Sequence, residues 1–266
     1  MGALAATLNR NDVEFSTGST LPPLWHWLYF LSPARQSSLA ADGHLEKGGF
    51  LPPVPLPRRM WAGSRLIFNH PVRAGQMVSR LSTIESIAVK KGRSGQLVFV
   101  RVRHEISNDA GMAMVELQDI VYRDKPGESE RTQKLPDGIP APKQAAFSRI
   151  IIADPVLMFR YSALTFNGHR IHYDRDYAAG VEGYPGLIVH GPLLATMLME
   201  LMQDELPPSV LKIFEFKSMR PVFDINSFTL CARQENTSVV KLWVEDHEGF
   251  LCMEATAEIE TNISEE

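Results

Sequence analysis

Two long segments of the chain alternate apolar and polar residues with a period of two. In residues 98–122 the positions on one face are apolar, beginning with Val98, Val100, Val102 and Ile106. The intervening positions on the opposite face are charged, namely Arg101, Arg103 and Glu105. Successive side chains of a β-strand point to opposite faces, so this alternation predicts a strand, a turn at "NDAG" and a second strand.

The C-terminal segment 239–260 repeats this pattern, with "DHEG" at its turn. A shift of 138 residues aligns three matched pairs: Asn108 with Asp246, Gly111 with Gly249, and Glu116 with Glu254. The shift also preserves which positions face inward, and a slip of one residue would invert every side chain. Upstream, "NHPVRAG" (69–75) matches "MRPVFDI" (219–225). We interpret these matches as an internal duplication.

Each repeat is also predicted to contain a buried helix. The segments that begin at Pro23 and Pro192 match at a shift of 169 residues, and in the second only Glu200 and Gln203 are clearly polar. A helix that is apolar on nearly every face must be buried. A buried helix followed by antiparallel strands, twice over, predicts the α+β class. The specific expectation is a double hot-dog fold, in which two antiparallel sheets each wrap around a central buried helix.

This organisation predicts an N-terminal half (1–122), a linker (123–145) and a C-terminal half (146–266). Residues 123–143 are rich in proline, glycine and charge and lack a hydrophobic period, which is typical of a linker. The N-terminal half carries extra residues between its helix and its strand, including the proline-rich "GGFLPPVPLPRRMWAG" (48–63). A functional loop and a rigid cover over a sheet edge are both open interpretations of this insertion.

Composition and charge argue against two classes of partner. The chain has 27 Lys and Arg against 31 Asp and Glu, a formal charge of −4 without the basic stripe of a nucleic-acid binder. Its apolar runs are far shorter than the roughly 20 residues of a membrane span, and no signal peptide pattern is visible. We therefore expect a cytoplasmic protein without nucleic-acid or membrane partners. Cys231 and Cys252 are expected to be buried free thiols.

The segment "FNGHRIHYDRDYA" (166–178) concentrates polar groups that can carry chemistry. Nothing before the matching helix of the N-terminal half resembles it, so the fold does not need it and we infer that it has a function. A metal site is one interpretation, since His169, His172 and Asp174 are potential ligands. No second pair of zinc-type ligands is evident, so we expect no metal. Structural histidines, hydrogen-bonded in a core, are the other alternative.

The same segment resembles the signature of the MaoC-like (R)-specific enoyl-CoA hydratases, a Gly-Asp-x-Asn-Pro-x-His-x-Asp core followed by an alanine. On that pattern His172 takes the position of the catalytic histidine, and Asp174 and Ala178 fit. Asn167 stands where the family has its catalytic aspartate. "LIVHGPLLATML" (187–198) resembles the second family element, in which a His-Gly turn opens the buried helix.

Departures from the pattern indicate a subgroup. His169 takes the asparagine position and Arg170 the proline position. The "FNGHRIHYD" form is similar to that of 3-hydroxyacyl-thioester dehydratases and of 3-methylfumaryl-CoA (mesaconyl-CoA) and itaconyl-CoA hydratases. "FLPPVPLPRRMWAG" also resembles the N-terminal half of the latter group.

The resemblance implies a cofactor-free hydratase or dehydratase of a CoA thioester, with one site per chain. A neutral histidine suits the base that activates water, so His172 is assigned this role. An amide orients water but cannot take its proton, so Asn167 is assigned to water positioning. The helix N-terminus at Gly191 supplies donors for the enolate oxygen. Protonated His172 or His169 is expected to return the proton to Cα.

The expected substrate is a branched unsaturated dicarboxylyl-CoA thioester of the 3-methylfumaryl-CoA or itaconyl-CoA type. Arg170, Arg58 and Arg59 are candidates to bind its free carboxylate, with CoA phosphates and solvent as equally open partners. The remaining residues expected to bind substrate are His169, Asp174 and His190.

Three other functions stay open. They are a (3R)-hydroxyacyl-thioester dehydratase of fatty-acid synthesis, a hot-dog acyl-CoA thioesterase that uses Asp174 or Asp176, and a non-catalytic acyl-binding module. The N-terminal half is expected to supply a pocket wall and no catalytic group, with structural roles for His26 and His104. A homodimer is also expected.

Overall fold

The computed structural model describes residues 1–10, 15–92, 95–124 and 138–261. This part of the chain contains four α-helices, α1 (Gly2–Thr7), α2 (Pro155–Leu164), α3 (Arg175–Gly180) and α4 (Gly191–Glu205). It also contains nine strands, β1 (Arg58–Phe68), β2 (Ser79–Gly92), β3 (Gly95–Asn108), β4 (Gly111–Arg123), β5 (Phe147–Ile151), β6 (Ser209–Ser218), β7 (Phe228–Asn236), β8 (Val239–Asp246) and β9 (Leu251–Thr261). Short 3₁₀ helices occur at Trp25–Leu28, Gln36–Ser38 and Arg170–His172. The α+β class is as expected.

The nine described strands form one antiparallel sheet, in the order β2-β3-β4-β1-β6-β9-β8-β7-β5. The two halves meet where β1 pairs with β6, from Gly63 opposite Lys217 to Ile67 opposite Ile213. The described strands therefore form one continuous sheet, and the expected pair of separate sheets is not seen in them. The physical reason is that each separate sheet would leave an edge strand with unpaired backbone groups, and β1 and β6 satisfy each other.

The strand order confirms the internal duplication. From the centre outward, β1, β4, β3 and β2 follow one another on one side, and β6, β9, β8 and β7 on the other. Gly111 and Gly249, which the repeat aligns, adopt φ of 108° and 84° at the turns of their hairpins, a region that glycine enters without steric cost. The predicted inward face of β3 is also confirmed, because each of its four apolar residues is at most 7% exposed.

Helix α4 is the buried central helix that the sequence predicts for the C-terminal half. It has 15 residues, and every residue from Leu193 to Met202 is buried. Pro192 lies in its first turn, where the missing N–H leaves no hydrogen bond unmade. The helix packs on β5, β7 and β8 of its own half and on β1 of the other. Its buried Glu200 accepts a hydrogen bond from Trp25 Nε1 (3.1 Å).

The buried helix predicted for the N-terminal half does not form in the described residues, so that prediction was wrong. After Pro23 the chain turns at Leu24, whose φ is +70°, and makes only the four-residue 3₁₀ helix Trp25–Leu28. The short helix ends before Tyr29, which is extended (φ −116°, ψ 174°), and Phe30 follows at φ +57°, so an α-helix does not continue. Trp25 is 1% exposed and belongs to the same core as α4. One central helix thus serves both halves in the part of the chain that is described.

The predicted linker falls largely on residues 125–137, which lie outside the described residues. Its end is described, and the carbonyl of Ile139 accepts the N–H of Leu251 (2.8 Å) beside β9. Cys231 and Cys252 are free and buried, as predicted. Burial raises the pKa of both thiols to about 12. Among the described helices, none combines the length and the apolar composition needed to cross a bilayer.

Candidate active site

A cavity of about 680 Å³ lies between the two halves. The C-terminal half contributes the segment after α2, the 3₁₀ helix Arg170–His172 and the first turn of α4. The N-terminal half contributes side chains from β1 to β4 and from the 3₁₀ helix Trp25–Leu28. The cavity therefore joins most of the predicted polar cluster to residues that come from the other repeat.

Asn167 is held at the cavity through its backbone and its side chain. Phe166 adopts φ +50° directly after α2, and the Asn167 N–H donates to the Ser162 carbonyl (2.8 Å). The side-chain Oδ1 of Asn167 accepts the N–H of His169 (3.0 Å). Since Oδ1 is engaged in this turn, the side-chain NH₂ is the better placed group to bind a molecule in the cavity.

His172 lies in the cavity wall in a defined neutral form. Its Nδ1 is 2.7 Å from the Ile188 carbonyl oxygen, which can only accept, so Nδ1 carries the proton and Nε2 the lone pair. Burial lowers the pKa of His172 to about 4, although the hydrogen bond to Ile188 raises it in part. At neutral pH the imidazole of His172 is therefore uncharged.

His190 forms a second layer behind His172. The two rings stack with centroids 3.7 Å apart and planes inclined by 18°. His190 Nε2 lies 2.8 Å from the Ser162 hydroxyl oxygen, and the residue directly precedes α4. Burial lowers the pKa of His190 well below its usual value, so this stacked pair is uncharged. The contact fixes the ring plane of His172.

Two more imidazoles lie beside this pair without stacking on it. The centroid of the His169 ring lies 5.4 Å from that of His172 and 4.0 Å from that of His44. Burial, followed by the charges of the neighbouring histidines, lowers the pKa of His169. We refer to His44, His169, His172 and His190 as the imidazole array.

His44 and its neighbour Asp42 come from the N-terminal half, and the sequence analysis did not single them out. Asp42 Oδ2 lies 3.1 Å from His44 Nδ1, and Asp42 Oδ1 accepts the His44 N–H (3.0 Å). Burial raises the pKa of Asp42, but the hydrogen bonds and charge of His44 outweigh it, and the pKa is lowered overall. Asp42 is thus ionised, and His44 Nδ1 must be the donor.

The loop that carries Asp42 and His44 is fixed against the segment after α2. The Asp42 carbonyl accepts the N–H of Arg170 (2.9 Å), and the Ala41 carbonyl accepts from the Arg170 guanidinium (3.0 Å). Gly43 adopts φ +88°, and a Cβ there would lie 1.9 Å from the carbonyl oxygen of Gly168. The two backbones approach this closely only because residue 43 is glycine.

Asp42, His44 and His169 also place three ligand-type atoms within 4.8 Å of one another. One carboxylate and two imidazoles form a donor set that a divalent metal can use. The hydrogen bond between Asp42 and His44 accounts for their contact without an ion, and the expectation that the site holds no metal stays a prediction.

Two of the three arginines predicted to meet a carboxylate are already paired. Arg58 is buried and forms an ion pair with Glu182 (2.6 Å). Arg170 forms an ion pair with Asp174 (2.8 Å) and lies over the Tyr177 ring, 4.1 Å from its centroid. Neither Arg58 nor Arg170 is among the described residues that line the cavity. Both side chains hold local structure in place.

Arg59 lies in the cavity wall, beside the imidazole array. Its positive charge contributes to the lowered pKa of both His44 and His169, for which burial is the larger cause. Asp174, another predicted site residue, instead caps α3, where its Oδ1 accepts the Tyr177 N–H (3.0 Å). Of the three arginines predicted to meet a carboxylate, Arg59 is the one that lines the cavity.

Gly191 lines the cavity at the start of α4. A Cβ at this position would meet only Ser218 Oγ, at the ordinary contact distance of 3.6 Å, so internal packing does not require glycine. Backbone N–H groups in the first turn of a helix have no partner within the helix and carry its positive dipole end. The start of α4 is thus suited to bind a negatively charged oxygen.

A second polar cluster lies at the end of the cavity formed by the N-terminal half. Glu116 is 3% exposed and accepts hydrogen bonds from His26 (3.1 Å), Trp27 (3.1 Å) and Ser64 (2.8 Å). His104 contacts Ser82 Oγ (2.8 Å) and Gln118 Oε1 (3.3 Å). These partners are consistent with structural roles for His26 and His104, which stay predictions.

The chain matches the family model of hydroxyacyl-thioester dehydratase type 2 over residues 24–224. The chain belongs to this family. It is also 47% identical to mesaconyl-C(4)-CoA hydratase of Chloroflexus aurantiacus over 259 residues, which cover 97% of this chain and 90% of that protein. The resemblance seen in "FNGHRIHYD" is confirmed, and the protein is an enzyme, a hydratase or dehydratase of CoA thioesters.

Solved structures of two mycobacterial proteins share the fold. HtdX of Mycobacterium tuberculosis superposes with a TM-score of 0.67 at 17% identity, and the match covers 97% of this chain and 94% of HtdX. Rv0216 of the same organism, described as having a double hotdog fold, gives a TM-score of 0.58 at 12% identity and covers 97% and 92%. At these identities the likeness concerns the fold alone, and it supports the double hot-dog assignment.

Proposed function

We propose that the protein is a hydratase that adds water across the Cα=Cβ bond of a branched dicarboxylyl-CoA thioester of the mesaconyl-C(4)-CoA type. The observation that carries this proposal is the 47% identity to mesaconyl-C(4)-CoA hydratase over 97% of the chain. The position of Arg59 beside the imidazole array supplies a physical reason for the same substrate class.

The structure of this substrate constrains where its carboxylate must lie. Mesaconyl-C(4)-CoA, or 3-methylfumaryl-CoA, carries its free carboxylate and a methyl group on Cβ, the carbon that accepts the hydroxyl group. The carboxylate is therefore next to the attacking water and its base. A carboxylate taken out of water needs a charged partner or hydrogen-bond donors. Arg59 meets this need, because Arg58 and Arg170 are held by Glu182 and Asp174.

In the proposed mechanism His172 is the base. Its Nε2 accepts a proton from water while the water oxygen forms its bond to Cβ, and the side chain of Asn167 orients that water. The electrons of the double bond move toward the thioester oxygen, where the N–H groups at Gly191 and the following turn of α4 stabilise the negative charge. One such donor typically contributes ~3 kcal/mol in the transition state.

The same mechanism favours 3-methylfumaryl-CoA over itaconyl-CoA. The double bond of 3-methylfumaryl-CoA is conjugated with the thioester carbonyl, so the addition of water places charge on the oxygen that α4 can stabilise. The double bond of itaconyl-CoA is not conjugated with that carbonyl. An enolate-stabilising helix N-terminus would not assist its hydration.

A (3R)-hydroxyacyl-thioester dehydratase of fatty-acid synthesis is the second candidate, and the family name favours it. A guanidinium beside the reacting carbons argues against an acyl chain without charge, since such a chain offers the guanidinium no counter-ion. A thioesterase is disfavoured because Asp174 caps α3 and pairs with Arg170, and Asp176 is exposed.

The substrate proposal predicts a strong preference for the second carboxylate. We expect kcat/KM for 3-methylfumaryl-CoA to exceed that for crotonyl-CoA by roughly one to two orders of magnitude, because a charge-assisted contact contributes ~1.5–3 kcal/mol. Mass spectrometry of the products is the measurement. Hydration adds the mass of one water with the thioester intact, whereas hydrolysis releases the CoA thiol. Equal efficiency on long monocarboxylic enoyl-CoA esters would instead support the fatty-acid dehydratase.

The substitution Arg59→Gln tests the same prediction by changing the protein instead of the substrate. It should lower kcat/KM for 3-methylfumaryl-CoA by roughly 10- to 100-fold and spare crotonyl-CoA. Arg80→Gln is the matched control, because Arg80 also lines the cavity but its guanidinium lies over the Phe30 ring, 5.1 Å from the centroid. The ratio of the two substrates should not change in that control. A uniform loss in Arg59→Gln would assign the carboxylate to another group.

Asn167 offers a separate prediction on water positioning. Asn167→Ala should slow hydration by roughly 10- to 100-fold, as expected for one lost hydrogen bond to the reacting water. Asn167→Asp keeps the oxygen that accepts the His169 N–H (3.0 Å), so it should fold normally and show a shifted pH profile. The pH dependence of kcat for both variants is the measurement. An unchanged rate in Asn167→Ala would contradict the role.

A further inference from the structure

One polar pair at the cavity has no role in the mechanism above. His44 lines the cavity, and its Nδ1–H donates to Asp42 (3.1 Å), so the lone pair on Nε2 remains for exchange with a bound molecule. The mechanism above also leaves open the step for which the sequence suggested protonated His172 or His169. After water has added to Cβ, the carbon Cα must receive a proton.

We propose that His44 is a second catalytic residue, which exchanges the proton at Cα, and that Asp42 is its positioning residue. The inference rests on the proposed function, because it assigns a residue to the second half of the hydration reaction. It gives the N-terminal half a part in the chemistry beyond that of a pocket wall.

The contacts of the imidazole array single out His44. Nδ1 of His172 donates to the Ile188 carbonyl, and Nε2 of His190 contacts the Ser162 hydroxyl. Among the described hydrogen bonds of the array, the ring of His44 is the one that contacts a carboxylate, that of Asp42. A carboxylate on one ring nitrogen fixes the tautomer and stabilises the positive charge when the other nitrogen is protonated. A proton added to the array is therefore held best by His44.

The proposed hydration step keeps the charge of the site constant. Neutral His172 takes a proton from water as the hydroxyl group bonds to Cβ, and the double-bond electrons form the enolate. The imidazolium of His44 gives its Nε2 proton to Cα, where the enolate electrons form the C–H bond and the carbonyl returns. One proton enters at His172 and one leaves from His44. Exchange with solvent water then restores both residues.

The pH dependence follows from the groups that face His44. They are Asp42 on its own loop, Arg59 of β1, His169 on the opposite segment, and His172 beyond it; Lys47 lies near Asp42. Burial lowers the pKa of His44, Asp42 opposes this, and Arg59 adds to it. Hydration should fail at low pH, when His172 (pKa about 4) is protonated, and decline as pH rises through the pKa of His44. Asp42→Asn removes a group that raises the latter pKa, so its alkaline limb should move to lower pH.

Hydrogen exchange at Cα separates the two histidines. The full-length enzyme is incubated in D₂O with 3-hydroxybutyryl-CoA and, in parallel, with the hydrated product of 3-methylfumaryl-CoA. Deuterium at Cα of the unreacted ester is measured by mass spectrometry, and dehydration by absorbance. Asparagine replaces each histidine, because its side-chain NH₂ can replace the Nδ1–H donor.

We expect His172→Asn to slow dehydration at least ~10²-fold while deuterium still enters at Cα, and His44→Asn to lose both. Circular dichroism and the melting temperature check that each variant is folded, and Asp42→Asn should shift the alkaline limb without loss of fold. Exchange that survives in His44→Asn, or that is lost equally in both variants, would overturn the inference alone. Turnover of neither ester by the wild-type enzyme would overturn the proposed function with it.

Discussion

Replacing His172 with asparagine is expected to slow hydration of 3-methylfumaryl-CoA by ~10² to ~10⁴ while the fold stays intact. The native ring lies 2.7 Å from the Ile188 carbonyl through Nδ1, and the asparagine NH₂ can make that hydrogen bond. Nothing in asparagine replaces Nε2. The variant therefore removes the base and keeps the buried contact, so steady-state kinetics and thermal unfolding report the two effects separately.

His104→Asn is the matched control for this experiment. His104 also lines the cavity, but its ring contacts Ser82 (2.8 Å) and Gln118 (3.3 Å), as a structural residue would. Its replacement should leave kcat near the wild-type value. Wild-type turnover in His172→Asn would place the base elsewhere. Loss of turnover at unchanged stability in His104→Asn would contradict the structural role.

Replacing Gly43 with alanine is expected to disable the site without unfolding the protein. The added Cβ would lie 1.9 Å from the Gly168 carbonyl oxygen, and alanine is strained at φ +88°. The loop must then move away from the segment that carries His169 and His172, and Asp42 loses its hydrogen bond to Arg170. We expect kcat/KM to fall at least ~10²-fold, since misplacement by about 1 Å has effects of this size. Kinetics and the melting temperature measure the outcome.

Gly249→Ala separates backbone strain from the clash. Gly249 has a similar φ of +84°, but a Cβ there meets nothing within 4 Å. Strain of this kind costs about 1–3 kcal/mol, so both variants should lower the melting temperature by a few degrees. Only Gly43→Ala should lose activity. If both variants kept wild-type kinetics, the position of the Asp42–His44 loop would not matter for catalysis.

The strands could be predicted from the sequence because burial imposes a strict period on each face. The alternation of apolar and polar residues in β3, and the match of Gly111 with Gly249, can be seen in the sequence without knowing any distant contact. The joining of β1 to β6 was not predictable in this way, since both sequences fit a sheet edge equally well. The prediction of a buried helix in the N-terminal half was wrong for a related reason. Apolar composition predicts burial. Trp25 of the 3₁₀ helix Trp25–Leu28 is indeed buried, but in the same core as α4 of the other half.

The residues of the candidate site also fall into those that could be found from the sequence and those that could not. His172, Asn167 and Gly191 could be found because they lie close together in a segment that one repeat has and the other lacks. Asp42 and His44 lie more than a hundred residues away, in a loop without periodicity, and reach the site only through the fold. The sequence does carry one local signal for them, a glycine between an acid and a histidine in Asp42-Gly43-His44. Arg59 could be listed among three arginines, but only their partners distinguish them.

The pairing of β1 with β6 has a consequence for how the molecule unfolds. Backbone hydrogen bonds run across the boundary between the repeats, and α4 packs on strands of both. Among the described elements, the N-terminal repeat has no long helix of its own to cover its strands, and it shares α4 with the C-terminal repeat. We therefore expect the two repeats to unfold together as a single cooperative unit, although the chain contains the same arrangement of strands twice.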